Sequence, residues 1–438
     1  MQVRREAALP ELGLVWSRTD GRLPWQHVIL FEKLDPAANG PVRVSGEWPQ
    51  FRGPRSDNRA DDAELPLQWT ETKNVRWAQD VPGRGWSSPV ILGNQLWLTT
   101  ATNDGHSLRA ICLDRHRGDV LHDVEVFTPK EPCDLNPKNS HASPTPAIEP
   151  GRVYVHFGTM GTAALDTDTG KVLWRNTTLK IDHKEGPGGS PILVGPHLIV
   201  LCDGMDEQYV AVLDKRNGRV VKKLPREQPF PENPDFRKAY ATPLAIRVDG
   251  RELLICPGAH QLETHGPDGP EWNIRYGGFS NVPQPVYSPE TGLLYVCTGY
   301  MKPELWAVRP GGSGDVSESH VEWKFTRQVP AIPTPVMVGE RLFMVHDGVA
   351  TCVDAHSGAQ VWQGRVGGAF SASPLASRDR VYLFAEDGRT VVLAAGDEFE
   401  VLAESQLPGE VLASPAVAEN DLFLRTDSRV YCISLQQE

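Results

Sequence analysis

The chain is 438 residues long, 40% hydrophobic and 23% charged, the balance of an ordinary globular protein. Its net charge of −12 argues against nucleic acid as a partner, because neutralising phosphates takes a basic surface. It contains no apolar run of about 18 residues, so no segment reads as a membrane span.

Residues 1–46 lack the basic start, apolar core and small-residue cleavage site of a signal peptide. Only His27–Leu34 (HVILFEKL) has the pattern of a strand. Residues 1–46 therefore read as a disordered or misannotated leader, and 47–438 as one domain. As encoded the chain reads as cytoplasmic; a different true start allows export.

From Ser88 onward a repeat takes over. A small residue, Pro and an apolar residue recur at Ser88-Pro89-Val90, Thr145-Pro146-Ala147, Ser190-Pro191-Ile192 and Thr242-Pro243-Leu244. The series continues at Gln284-Pro285-Val286, Thr334-Pro335-Val336, Ser373-Pro374-Leu375 and Ser414-Pro415-Ala416. Pro89 and Pro415 lie 326 residues apart, about 47 per repeat, which four short strands and their turns fill. After each Pro comes an alternating apolar and aromatic segment, such as QLWLTT, RVYVHF, RLFMVH and RVYLFA. Period-2 alternation of this kind marks a strand.

A third signal, Asp-x-x-x-Gly-x-x-x-Trp, is complete at Asp166/Gly170/Trp174 and Asp354/Gly358/Trp362. Asp114/Gly118 and Asp214/Gly218 keep the turn but carry His122 and Lys222 at the Trp position. The Asp carboxylate accepts backbone N–H groups in a hairpin turn and Gly takes the positive φ. The Trp is placed on an outer strand, wedged against the next repeat. The fourth repeat departs from the pattern: Ala259–Trp272 replaces the Asp turn with a Gly/Pro-rich loop.

Eight such units predict an all-β fold, an eight-bladed β-propeller of four-stranded antiparallel blades, monomeric, with one continuous stack of packing between blades. Only 23 residues follow Pro415, too few for four strands. Val75-Arg76-Trp77 supplies the missing outer strand and closes the ring. The seven Cys residues include no adjacent or C-x-x-C pair, which excludes zinc and thioredoxin-like chemistry. Cys112, Cys352 and Cys432 share one repeat position and read as buried strand residues.

The Ser-Pro strands and Asp-x-x-x-Gly-x-x-x-Trp turns resemble the PQQ-like repeat superfamily, which holds quinoprotein alcohol dehydrogenases and BamB-like propellers. WPQFRGP (Trp48–Pro54), NSHASPTPA (Asn139–Ala147), FGTMGTAALD (Phe157–Asp166), GGSPILV (Gly188–Val194), VCTGY (Val296–Tyr300) and SASPL (Ser371–Leu375) narrow the resemblance. They are similar to the PQQ-binding-like β-propeller repeat family, planctomycete-type, over about residues 47–435. For an enzyme of that superfamily the resemblance implies PQQ and calcium on the propeller axis, beneath a ring of two adjacent Cys. No Cys pair is present, and Asp203/Asp206/Glu207 reads as a solvated loop tip. The expectation is a non-catalytic scaffold with no cofactor, binding a protein or other macromolecule. The alternative is a PQQ/calcium-dependent dehydrogenase or a degenerate PQQ-binding relative.

Binding is expected on one face, at the loops 122–142 and 222–240 and the axial funnel. Antiparallel order puts first-strand starts and second-strand ends on that face. His141, Lys238, Tyr240, Asn281, Tyr300 and His346 are the candidate contact residues.

Overall fold

The computed structural model describes residues 47–227 and 232–435. The leader 1–46, with its candidate strand at His27–Leu34, lies outside the described residues.

Each Pro of the repeat stands just before a short inner strand, where its missing N–H costs no ladder bond. The inner strand turns back at once into a longer, almost wholly buried second strand, then a third and an outer one. Blade 1 runs Val90–Leu92, Gln95–Thr102, Ser107–Asp114 and Val120–Phe127. The pattern repeats around the ring, giving eight four-stranded antiparallel blades among the described residues, with the short strand Gly314–Asp315 added in parallel to the outer edge of blade 4. Among the described residues there is no α-helix, and so none long and apolar enough to cross a membrane. The expected eight-bladed propeller is the observed fold.

Blade 8 has only three strands from the C-terminal end of the chain, Ala416–Ala418, Asp421–Arg425 and Arg429–Ile433. Its outer strand is Val75–Asp80, which pairs antiparallel with Arg429–Ile433. Arg76 clamps the closure by donating from both terminal nitrogens to the Asp421 carboxylate, at 2.6 and 2.9 Å.

Neighbouring blades are locked at their outer hairpins. The indole N–H of Trp77 donates to the Arg115 carbonyl, that of Trp174 to Lys215, that of Trp323 to Ala355 and that of Trp362 to Gly396. In each pair the acceptor lies in the hairpin turn of the next blade. Gly118, Gly218 and Gly358 take positive φ there, and a Cβ on any of them would strike the incoming indole. The motif glycine thus serves the turn and also seats the Trp of the blade before it.

The expected continuous stack of packing is not what forms. The core divides into separate clusters: one joins blades 1 and 2, another blades 2 and 3, and so on, while blades 7, 8 and 1 share one. The cause is the period-2 alternation: each sheet sends side chains to its two faces, and its own backbone separates one interface from the next.

Ahead of the ring-closing strand, residues 48–60 cross the axis. Trp48 exchanges backbone hydrogen bonds with Ile91 in blade 1, and the Pro49 carbonyl accepts from Ile148 in blade 2. Arg52 then donates to the Pro335 carbonyl at the entry to blade 6, and Asn58 to Pro374 at the entry to blade 7. Blades 2 and 6 face each other across an eightfold ring, so the segment plugs the channel. Arg52 is fully buried, and burial lowers its guanidinium to about 10.

Candidate functional site

The plug turns the axial funnel into a blind cup of about 680 Å³. Phe51, from the plug, lines it. The wall carries the residue that precedes the Pro in six of the eight repeats: Thr145, Ser190, Thr242, Thr334, Ser373 and Ser414. These residues form a relay around the axis. The backbone N–H of each repeat's residue donates to the hydroxyl of the next: Ser88 to Thr145, Thr145 to Ser190 and Ser190 to Thr242. The relay resumes from Gln284 to Thr334, Thr334 to Ser373 and Ser373 to Ser414, all at 2.9–3.1 Å. Gln284 bridges the interruption, its side-chain amide donating to the Pro243 carbonyl at 2.8 Å.

The rim is aromatic and apolar, with Trp86, Tyr240, Phe279, Tyr300, Ile332 and Leu412. The connection into blade 4 shapes one side of it. A 3₁₀ turn, Pro234–Phe236, is capped by the Asn233 side chain, which accepts from Asp235 N–H. The chain then zips onto the connection into blade 5: Ser280 N–H donates to the Lys238 carbonyl and Tyr240 N–H to that of Asn281. This holds the Phe279 ring 4.8 Å from Phe236 and 5.8 Å from Tyr300, centroid to centroid. Tyr300 is 56% and Met301 68% exposed.

The charges at the cup are matched in pairs. Lys138 meets Glu386 at 2.7 Å. Asp235 is held by Lys184 and Lys238, whose hydrogen bonds keep its carboxyl below the usual range. Asn136 donates to Glu185 at 2.9 Å.

The six residues singled out in the sequence separate here. Lys238, Tyr240 and Tyr300 line the cup. Lys238 is almost fully buried and reaches across to Asp235 and the Phe279 ring. The Tyr240 hydroxyl donates to the His183 carbonyl at 2.8 Å, and burial raises its pKa. Asn281 lies fully buried behind the rim, its amide donating to the Tyr276 hydroxyl. His141 is buried against Gly105 and bonds the Cys133 carbonyl through Nε2. His346 lies at the end of its second strand, 3.3 Å from Asp347 and away from the cup lining.

Three expectations need correction. The loops expected at 122–142 and 222–240 are partly strand, since Val120–Phe127 and Val220–Pro225 are outer strands whose ladders run further than the sequence pattern suggested. The Gly/Pro-rich loop of blade 4 is a tight hairpin in which Gly266 pairs with Gly269, so the outer strand is kept without the Asp turn. Asp203 is not a solvated tip. It is buried against Arg226, with Glu263 beside it, and burial lifts its carboxyl to about 7 against the pull of the guanidinium.

Sequence reasoning missed Phe51, Trp86, Phe279 and the hydroxyls. The last had a signal: the residue before each Pro is not merely small but, apart from Gln284, always Ser or Thr.

A sequence profile described as "Outer membrane protein assembly factor BamB" matches residues 14–187 and 303–437. No curated protein matches. Among solved structures, BamB from Moraxella catarrhalis superposes with a TM-score of 0.56 at 13% identity, covering 82% of this chain and 98% of its own. A europium-containing methanol dehydrogenase gives 0.57 at 10% identity over 91% and 99% of the two chains. Quinohemoprotein alcohol dehydrogenase from Comamonas testosteroni gives 0.56 at 10% identity over 94% and 84%. Likeness at such identities speaks for the fold alone.

Proposed function

The chain belongs to the family described as outer membrane protein assembly factor BamB, and on that premise we propose that it is a non-catalytic propeller whose cup face binds a protein or other macromolecular partner. The observation that carries this reading is the arc of Phe236, Tyr300, Met301 and Ile332 on the rim. All four are exposed large side chains: Tyr300 and Ile332 line the cup, Met301 follows Tyr300 in the chain, and Phe236 packs against Phe279 of the lining. Exposed apolar area of this kind on a rigid frame marks a contact surface. Between the blades the side chains are committed to packing, which leaves exposed surface such as this rim to bind.

The donors at the axis do not fit a PQQ and calcium pair. Calcium takes about six to eight oxygen ligands. Among the described residues the carboxylates lining the cup are Glu185 and Asp235, and both already hold protein partners. Among the described residues no three His, Cys, Asp or Glu side chains are grouped to hold a metal ion. Among the described residues an anionic quinone would meet only Lys138 and Lys238, each already paired with a carboxylate.

Two measurements test the reading on the full chain. PQQ with calcium is added and uptake followed by absorbance, with dye reduction by alcohols and sugars assayed alongside. We expect neither; stoichiometric uptake with dye reduction overturns the non-catalytic assignment. Recovery of partners from the native cell is then compared between the wild-type chain and Tyr300→Asp/Met301→Asp. Loss of a specific partner with an unchanged Tm is expected, and undiminished recovery contradicts the rim as the contact.

A further inference from the structure

We propose that the cup receives the end of a neutral saccharide chain, recognised by the hydroxyl relay and the aromatic rim. The inference rests on the cup face being the contact surface and names the chemistry of what enters it.

The relay leaves a particular chemistry exposed. A hydroxyl has one proton to donate and two lone pairs. In Thr145, Ser190, Thr242, Thr334, Ser373 and Ser414 the oxygen already accepts a backbone N–H from the repeat before. Among the described residues none of these six hydroxyls donates to a protein acceptor, although all are more than nine-tenths buried and line the cup. Each keeps its proton and one lone pair unused. The wall is a ring of hydroxyls that can donate and also accept, and a ligand that satisfies it must above all bring acceptors for the buried protons.

Charge narrows the class. A cation would find single hydroxyl lone pairs and, among the described residues, lining carboxylates that already hold protein partners. A free anion would lose its hydration and find Lys138 paired with Glu386 and Lys238 hydrogen-bonded to Asp235, on a chain of net charge −12. The fitting ligand is neutral and rich in oxygen acceptors. An extended peptide spaces its polar groups along a backbone and offers no face dense in hydroxyls. A saccharide brings ring and glycosidic oxygens that only accept, hydroxyls that present lone pairs, and flat C–H faces. Phe51 within the cup and Phe279 and Tyr300 at the rim offer apolar ring faces for the last. The volume of about 680 Å³ leaves room for a short oligosaccharide.

The test is calorimetric titration of the full chain with maltotriose, cellotriose and tri-N-acetylchitotriose, to about 10 mM, beyond the range of weak binding. Trigalacturonic acid and triglycine serve as the acidic and peptide probes. At least one neutral trisaccharide is expected to bind saturably, more tightly than either of those. Tyr300→Ala should weaken it by about fivefold or more, the worth of a lost stacking contact. Thr334→Val should do the same and Thr334→Ser should restore binding. The valine variant also leaves the Gln284 N–H without its acceptor and should melt lower, so the serine variant and Tyr300→Ala keep the result readable. Absence of binding by all three neutral sugars, or tighter binding of the acidic or peptide probe, overturns the proposal. If the rim variant still loses its macromolecular partner while no sugar binds, only this inference fails and the contact face stands.

Discussion

The indole N–H of Trp174 in blade 2 donates to the backbone carbonyl of Lys215 in blade 3 at 3.0 Å, and its ring lies over Gly218. This contact explains two positions of the repeat at once. Replacing Trp174 by Ala empties a buried wedge and should cost about 3–5 kcal/mol, as other large core truncations do. Gly218→Ala should also destabilise, because φ is +71° there and the new methyl meets the ring. Urea unfolding of both variants checks this. A loss below about 1 kcal/mol for Trp174→Ala would mean that the indole is not a structural wedge.

Deleting residues 47–80 removes both the outer strand of blade 8 and the plug. It exposes the edge of Arg429–Ile433, and an unpaired edge recruits other chains. The truncated protein should aggregate, as read by size-exclusion chromatography. A soluble truncation that unfolds cooperatively contradicts the closure.

Cys112, Cys352 and Cys432 lie buried in blades 1, 6 and 8, and burial pushes each thiol up, Cys352 to about 12. The thiolate is the reactive form. All three should resist a thiol reagent until the protein is denatured, while Cys133, only partly buried, reacts first. Rapid native labelling of the three rejects their structural role.

Burial holds three histidines neutral: His156 at about 3, His183 at about 4 and His265 at about 4. His183 also uses Nε2 to accept the Thr159 N–H, which a protonated ring cannot do. In the unfolded chain each titrates near the ordinary value of about 6.5. The folded values are depressed, so their contribution is fully present above pH 6.5 or so and is lost as pH falls towards the folded values. Tm should therefore drop between about pH 6.5 and 4.5, above the main carboxylate range. His183→Gln, whose amide oxygen can accept the same N–H, should flatten that slope. An identical slope in the variant would falsify the assignment.

The repeat could be read because each of its positions asks for a residue type at fixed spacing: Pro where a strand begins, Gly where a turn needs positive φ, Trp where a blade meets its neighbour. Ring closure was readable from the same count, since the last unit lacked a strand that Val75–Trp77 could supply. Trp77 and Trp323 escaped the motif although they do the work of Trp174. Trp77 precedes the repeats, and an insertion containing Gly314–Asp315 separates Trp323 from its own hairpin turn. The floor of the cup was hidden for a different reason. Nothing local in WPQFRGP announces that Arg52 bonds a carbonyl 283 residues away. Asp203 was misread likewise, because the Arg226 that it is buried against lies 23 residues on, after the outer strand of the blade, and not in its own loop. Lys238, Tyr240 and Tyr300 were found by topology; Phe279, beside them, looked like any strand-flanking aromatic.

The most direct test of the cup face as the contact surface is hydrogen–deuterium exchange on the full chain, alone and in complex with the partner recovered from its native cell. Protection is predicted at residues 136–141, 235–240, 278–282 and 299–302, around the rim, with the outer hairpins such as Asp166–Gly170 unchanged. Protection confined to those hairpins, with the rim exchanging as in the free protein, would contradict it.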